Sequence, residues 1–122
     1  MDGFNVFIKD PEAYLRNRER IMGRSFTAEE RAEQLANDGQ ALISLGAAVH
    51  VLCLTDRELP LISVPCLVLC GELDGYYPGA KEGASRISNA RFLSFAGLDH
   101  GLGRRSDLLL PHVKKFLAEM NA

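Results

Sequence analysis

The chain has 122 residues, and its 14 Lys and Arg against 16 Asp and Glu give a formal net charge of −2. Hydrophobic residues make up 47% of the chain and charged residues 25%. This composition is typical of a globular domain, and it excludes a disordered tail or a low-complexity chain. Without a basic excess to neutralise phosphates, nucleic acid is not expected as a partner. The length allows one domain of usual size.

The N-terminal residues and the number of cysteines indicate the cellular compartment. The first ten residues lack an apolar run of signal-peptide length, and the longest apolar stretch is too short to span a bilayer. We therefore expect a cytoplasmic protein with no membrane partner. The odd cysteine count (Cys53, Cys66 and Cys70) predicts reduced thiols. On one strand, Cys66 and Cys70 would be roughly 13 Å apart, too far for a disulfide, so we interpret all three as small buried apolar residues.

Helix signals dominate the first half of the chain. Asp10 followed by Pro11 predicts a capped helix start, and Gly23 predicts where that helix ends. Thr27 with Glu30 three residues later is the pattern of a capping box. The spacing of apolar residues then indicates a third helical segment after a break at residues 37–39. The predicted helices span about residues 11–22, 28–37 and 40–54.

The second half of the chain shows strand signals as well as helix signals. Residues 64–70 form a continuous apolar run bounded by Gly71, which predicts a strand buried on both faces of a parallel sheet. Pro65 fits only at the start of such a strand. A last helix begins at a Ser106 cap, with Pro111 within its first turn or so. The other predicted elements are a helix over 79–87, a strand over 91–95 and a loop over 96–105. Strand, helix, strand and helix in this order predict a β-α-β unit with two parallel strands.

Two strands make a narrow sheet. A strand as apolar as residues 65–70 needs helices on both faces and a neighbour on each edge, but only two convincing strands are present. The pattern therefore resembles the end of a larger α/β domain. The alternative is a small, mostly helical domain with a two-stranded sheet.

Two polar residues follow the two predicted strands. Asp74 lies three residues after Gly71, and His100 lies just after the second strand. Functional residues gather at the carboxyl ends of parallel strands, so the side chains of Asp74 and His100 could meet. By placement alone the alternative stays open, because an Asp in a loop is more often a cap or turn residue and a His in a loop more often a surface residue. A carboxylate on one imidazole nitrogen fixes the tautomer and lets the other nitrogen accept a proton. Asp99 is a rival acid, but adjacent residues rarely present their side chains to each other. No metal-binding or phosphate-binding motif is present, so no metal and no cofactor are predicted.

A set of ordered landmarks carries a family resemblance. An apolar strand begins at Val64-Pro65 and ends in Gly71-Glu72-Leu73-Asp74. It is followed by a helix and a second strand, then by Asp99-His100-Gly101, and finally by a closing helix that ends in Phe116-Leu117. Over about residues 60–119 the chain resembles the C-terminal part of the α/β-hydrolase fold family. The resemblance implies that Asp74 is the acid and His100 the base of a catalytic triad, in the family's chain order. It also implies that residues 1–55 are a helical lid-like segment together with the helix that precedes the first of the two strands. Residues 56–122 would then be the C-terminal β-α-β-α part of the hydrolase core.

The nucleophile of that family is not recognisable. The family places it in a G-x-S-x-G elbow between a strand and a helix. Ser25 lacks the second glycine and a preceding strand, and Ser85 lies within a predicted helix. The chain therefore carries two of three triad residues, and alone it is expected to be a very poor hydrolase.

The resemblance implies that the complete enzyme is a hydrolase that acts on an ester-like or related bond of a small-molecule substrate. Tyr76 and Tyr77 follow the acid and are candidates to line the substrate pocket, although packing with the hydroxyl in solvent explains them equally well. The alternative is a non-catalytic chain, either a truncated product or a binding and assembly module. An open sheet edge would then predict self-association or pairing with another strand.

Overall fold

The computed structural model describes residues 10–52 and 57–122. The chain divides into two compact units, residues 1–53 and 54–122, whereas the resemblance divides it between residues 55 and 56. Residues 1–9 of the predicted lid-like segment and Cys53 lie outside the described residues. Within the described ranges, no helix combines the length and the apolar character needed to cross a membrane.

The first unit is helical, with α1 at Pro11–Met22, α2 at Ala28–Leu35 and α3 at Gly39–Leu52. The carboxylate of Asp10 caps α1 by accepting from the Ala13 amide at 3.1 Å, and Gly23 ends the helix in the left-handed conformation at φ +81°. Both signals were predicted, as was the break between α2 and α3. Local capping thus determines these boundaries, because each cap satisfies backbone groups that the helix leaves unpaired.

A capping box begins α2. The Thr27 hydroxyl accepts from the Glu30 amide at 3.2 Å, and the Glu30 carboxylate accepts from the Thr27 amide at 2.8 Å. The Arg24 guanidinium also binds this carboxylate at 2.7 Å. The hydrogen bond from Arg24 and then that from the Thr27 amide lower the pKa of Glu30 to about 2. Arg31 joins the two helices by pairing with Glu19 of α1 at 3.2 Å.

The second unit contains the sheet. Its helices and strands are β1 at Cys66–Gly71, α4 at Tyr77–Arg86, β2 at Ala90–Phe95 and α5 at Ser106–Met120, with short 3₁₀ helices at Leu59–Leu61 and His100–Arg104. Strands β1 and β2 are parallel, in a register that runs from Cys66 opposite Ala90 to Gly71 opposite Phe95. Helix α4 crosses between them and contacts both. The predicted mixed α/β class and parallel β-α-β order are confirmed.

Three local predictions differ from the structure. Strand β1 is buried only at Cys70 and Gly71, and its other residues are half-buried, because two helices cover a two-stranded sheet incompletely. Ser106 is the first residue of α5 and not its cap; no side chain caps this helix. Pro111 is the sixth residue of α5, in the helix interior, where it lacks the amide that would bond to the Asp107 carbonyl.

Candidate functional site

A tight turn after β1 positions Asp74. The Asp74 amide donates to the Gly71 carbonyl at 3.1 Å, and the Asp74 carbonyl accepts from the Tyr77 amide at 2.9 Å. One carboxylate oxygen, Oδ1, accepts from the Tyr76 amide at 2.8 Å. This last bond is the side-chain-to-backbone closure for which Asp is favoured in turns. It leaves Oδ2 as the oxygen that faces the next loop.

Close packing of two loops brings that next loop over the end of β1. The Leu73 amide donates to the Leu98 carbonyl at 2.9 Å, and Gly97 turns the chain at φ +74°. Gly71 lies directly beneath: a Cβ there would be 2.3 Å from the Leu98 oxygen and 2.7 Å from the Asp99 oxygen. Because only glycine permits this approach, Gly71 is a structural requirement of the site. The sequence marked Gly71 as the end of the apolar strand and as a landmark of the family resemblance, but it did not predict this close approach.

The His100 backbone is held by its own short helix. The Asp99 carboxylate accepts from the Gly101 amide at 2.7 Å and so caps the 3₁₀ helix at His100–Arg104. Leu102 anchors this helix with its buried side chain. The carboxylate on the His100 ring is that of Asp74, while Asp99 serves as the cap.

The two predicted site residues meet. Asp74 Oδ2 and His100 Nδ1 are 2.8 Å apart, although the residues are 26 positions apart in the chain. The Asp74 side chain is only 11% exposed, whereas that of His100 is 40% exposed. The carboxylate is thus shielded from water and the imidazole is open to it. No described residue hydrogen-bonds His100 Nε2. A neutral imidazole that donates from Nδ1 to Asp74 has a free lone pair on Nε2, and it can accept a proton there.

The two tyrosines have different surroundings. The Tyr76 ring lies edge-on against the His100 imidazole, with centroids 5.8 Å apart and an interplanar angle of 63°. Tyr77 packs instead on Phe92 of β2, with centroids 5.7 Å apart. Of the two rings, only that of Tyr76 therefore borders the acid–base pair. The predicted part of either ring in substrate binding stays a prediction.

The two cysteines of β1 differ in burial. Cys70 is buried at the end of β1, and its thiol lies 3.6 Å from the Gly71 carbonyl as a weak donor. Burial and then the nearby Asp74 charge raise the pKa of the Cys70 thiol, which keeps it protonated. Cys66 is only half-buried, so the prediction that it is buried was wrong, and its thiol lies 3.4 Å from the Val64 carbonyl. Ser85, the serine nearest a glycine in this unit, donates its hydroxyl to the Glu82 carbonyl within α4.

The loop that carries His100 also lines a pocket. A pocket of about 340 Å³ is lined by residues of the segment 97–105, but Asp74, Tyr76 and His100 do not line it. Across residues 10–52 and 57–122, no three His, Cys, Asp or Glu side chains cluster as metal ligands.

Comparison with known proteins adds no family assignment. No protein-family model matches the chain, and no curated protein or solved structure matches it at a significant level. The geometry of Asp74 and His100 and the sequence resemblance are therefore what supports a function for this chain.

Proposed function

We propose that this chain supplies the acid–base pair of a nucleophile–His–Asp hydrolase that acts on an ester-like bond of a small molecule. The observation that carries the proposal is the 2.8 Å contact between Asp74 Oδ2 and His100 Nδ1, with the carboxylate shielded and the imidazole open. In this role His100 is the general base and Asp74 orients it.

In the proposed reaction, His100 first accepts a proton and later donates one. Nε2 of neutral His100 accepts the proton of the attacking hydroxyl as the new bond to the carbonyl carbon forms. The imidazolium then carries one proton on each nitrogen, and the Asp74 carboxylate stabilises it through Nδ1–H. When the tetrahedral intermediate collapses, Nε2–H donates its proton to the leaving oxygen and the neutral imidazole is restored.

Two further features support assignment to the α/β-hydrolase family. The acid follows one parallel strand and the histidine follows the next, in the family's chain order. Both lie at the carboxyl end of the sheet, where open α/β sheets place their sites. The sequence contains no G-x-S-x-G elbow, so the chain by itself should use water and turn over slowly.

An assay with p-nitrophenyl esters of short acids tests the proposal. We expect slow hydrolysis that falls about 10²-fold, toward the uncatalysed rate, in His100→Ala and also in Asp74→Asn. His112→Ala is the matched control, since His112 is an exposed histidine of α5 and should leave the rate unchanged. A rate that survives in His100→Ala would refute the proposal. So would a rate lost in His100→Ala but kept in Asp74→Asn, because that pattern indicates only a reactive surface imidazole.

A second candidate function is assembly through the open edge of β1. The Cys66 amide donates to Asn89 at 2.9 Å, on the β2 side, so by alternation Leu67 and Leu69 direct their backbone groups to the opposite edge. In the described part of the chain no strand pairs there. Strand β1 has no charged side chain to block pairing, whereas β2 carries Arg91, which pairs with Glu119.

The occupant that we propose for this edge is a second copy of the chain, because two identical uncharged edges can pair across a twofold axis. Light scattering after size exclusion should then report a dimer that Leu67→Lys converts to monomer, with circular dichroism to verify folding. Leu117→Lys, at an exposed leucine of α5, is the control and should stay dimeric. A monomeric unmodified chain would contradict this candidate.

A further inference from the structure

Tyr76 contacts both members of the acid–base pair. Its backbone amide donates to Asp74 Oδ1 at 2.8 Å, and its ring packs edge-on against the His100 imidazole with centroids 5.8 Å apart. Asp74 therefore has each carboxylate oxygen occupied, one by the Tyr76 amide and the other by His100. Tyr76 borders the pair through two different groups, the amide and the ring.

The ring of Tyr76 has no evident role in the core. Its side chain is 53% exposed, and it makes no capping hydrogen bond at the start of α4 although it occupies the cap position. The neighbouring Tyr77 shows the contrast, because its ring is half-buried and packs on Phe92 of β2. The contact of the Tyr76 ring with His100 is thus a contact between two largely exposed side chains at the site itself.

His100 needs a second constraint. Its side chain is 40% exposed, and one hydrogen bond from Nδ1 to Asp74 leaves the ring free to tilt about that bond or to leave it. An edge-on aromatic contact limits this motion, since such pairs prefer a defined angle and distance. A base that must receive a proton at Nε2 depends on that orientation, because small misplacements lower the rate.

We propose that Tyr76 is a positioning residue whose ring holds the His100 imidazole against Asp74 and so keeps Nε2 directed outward. This inference rests on the proposed function for its catalytic consequence, while its geometric content concerns His100 alone. The ring, and not the phenolic hydroxyl, is the acting group, so phenylalanine should replace tyrosine without loss.

Nuclear magnetic resonance of the full chain tests the geometry without any need for activity. The Nδ1 proton of His100 should be protected from exchange with water. This protection should be lost in Tyr76→Ala and retained in Tyr76→Phe. Tyr77→Ala is the matched control: it removes the ring that packs on Phe92 and should leave the His100 signals in place. Unchanged His100 signals in Tyr76→Ala would overturn the proposal.

The ester assay then separates positioning from substrate contact. Tyr76→Ala should lower kcat by about 2- to 10-fold with KM unchanged, which is the size expected for one aromatic pair. A raised KM with unchanged kcat would overturn the positioning role in favour of substrate binding. If Asp74→Asn leaves the rate unaffected while Tyr76→Ala still releases the imidazole, the proposed function fails but the positioning contact stands.

Discussion

The helical residues 10–52 and the sheet-containing residues 57–122 are stabilised by contacts of different range. In the first region the hydrogen bonds that define the helix ends join near neighbours, as in the capping box between Thr27 and Glu30. In the second, the decisive contact joins Asp74 to His100 across 26 positions and depends on the register of two parallel strands. A change at a helix cap of the first region should therefore act locally, whereas one at the loop contacts around Asp74 and His100 should disturb the site.

The largest effect is expected at Gly71. In Gly71→Ala the added Cβ would meet the Leu98 oxygen at 2.3 Å, so the loop that carries His100 must move. We expect destabilisation of about 1–3 kcal/mol, as for overpacking in a well-packed core, together with loss of the protected His100 Nδ1 proton. Thermal unfolding by circular dichroism and the His100 resonances measure the two consequences.

Gly79→Ala is the control for that substitution. Gly79 lies in α4, and an added Cβ would meet nothing within 4 Å. The same chemical change should here stabilise the chain, by roughly 0.5–1 kcal/mol, because alanine favours a helix over glycine. If both variants behave alike, the close approach at Gly71 is not what positions the loop.

A smaller and more local effect is expected at Thr27. Thr27→Ala removes the hydroxyl that accepts from the Glu30 amide, which should cost about 1 kcal/mol in the free energy of unfolding. Thr27→Ser keeps the acceptor and should restore most of the loss. The His100 resonances should be the same in both variants. A change at His100 would show that the two regions do not respond separately to substitution.

The same contrast explains which predictions from the sequence were confirmed. The ends of α1 and the start of α2 followed from Asp10, Gly23 and Thr27, because a cap acts within one turn of the chain. The approach of Asp74 to His100 was also predicted, since parallel strands place their following loops side by side. The cap at Ser106 was wrong, and the helix begins at that residue without a side-chain cap.

Burial and side-chain contacts could not be read from the pattern. The apolar run in β1 predicted a strand covered on both faces, yet full burial is confined to Cys70 and Gly71. The composition of a strand shows which of its side chains could be buried, but the number of helices and strands that pack against it decides which are buried. For the same reason the sequence could not distinguish Tyr76 from Tyr77, which are adjacent and identical in type. In the structure Tyr76 contacts His100 and Tyr77 contacts Phe92.

By itself, the sequence determined the mixed α/β class, the helix caps of the first region and the placement of an acid and a histidine after successive strands. These depend on short-range preferences and on the order of elements along the chain. The tertiary structure decided which oxygen of Asp74 faces His100 and that Asp99 caps the 3₁₀ helix at His100–Arg104. It also decided that the Tyr76 ring is the one that packs against the His100 imidazole. Such contacts depend on the close approach of two loops over Gly71, which no local pattern specifies.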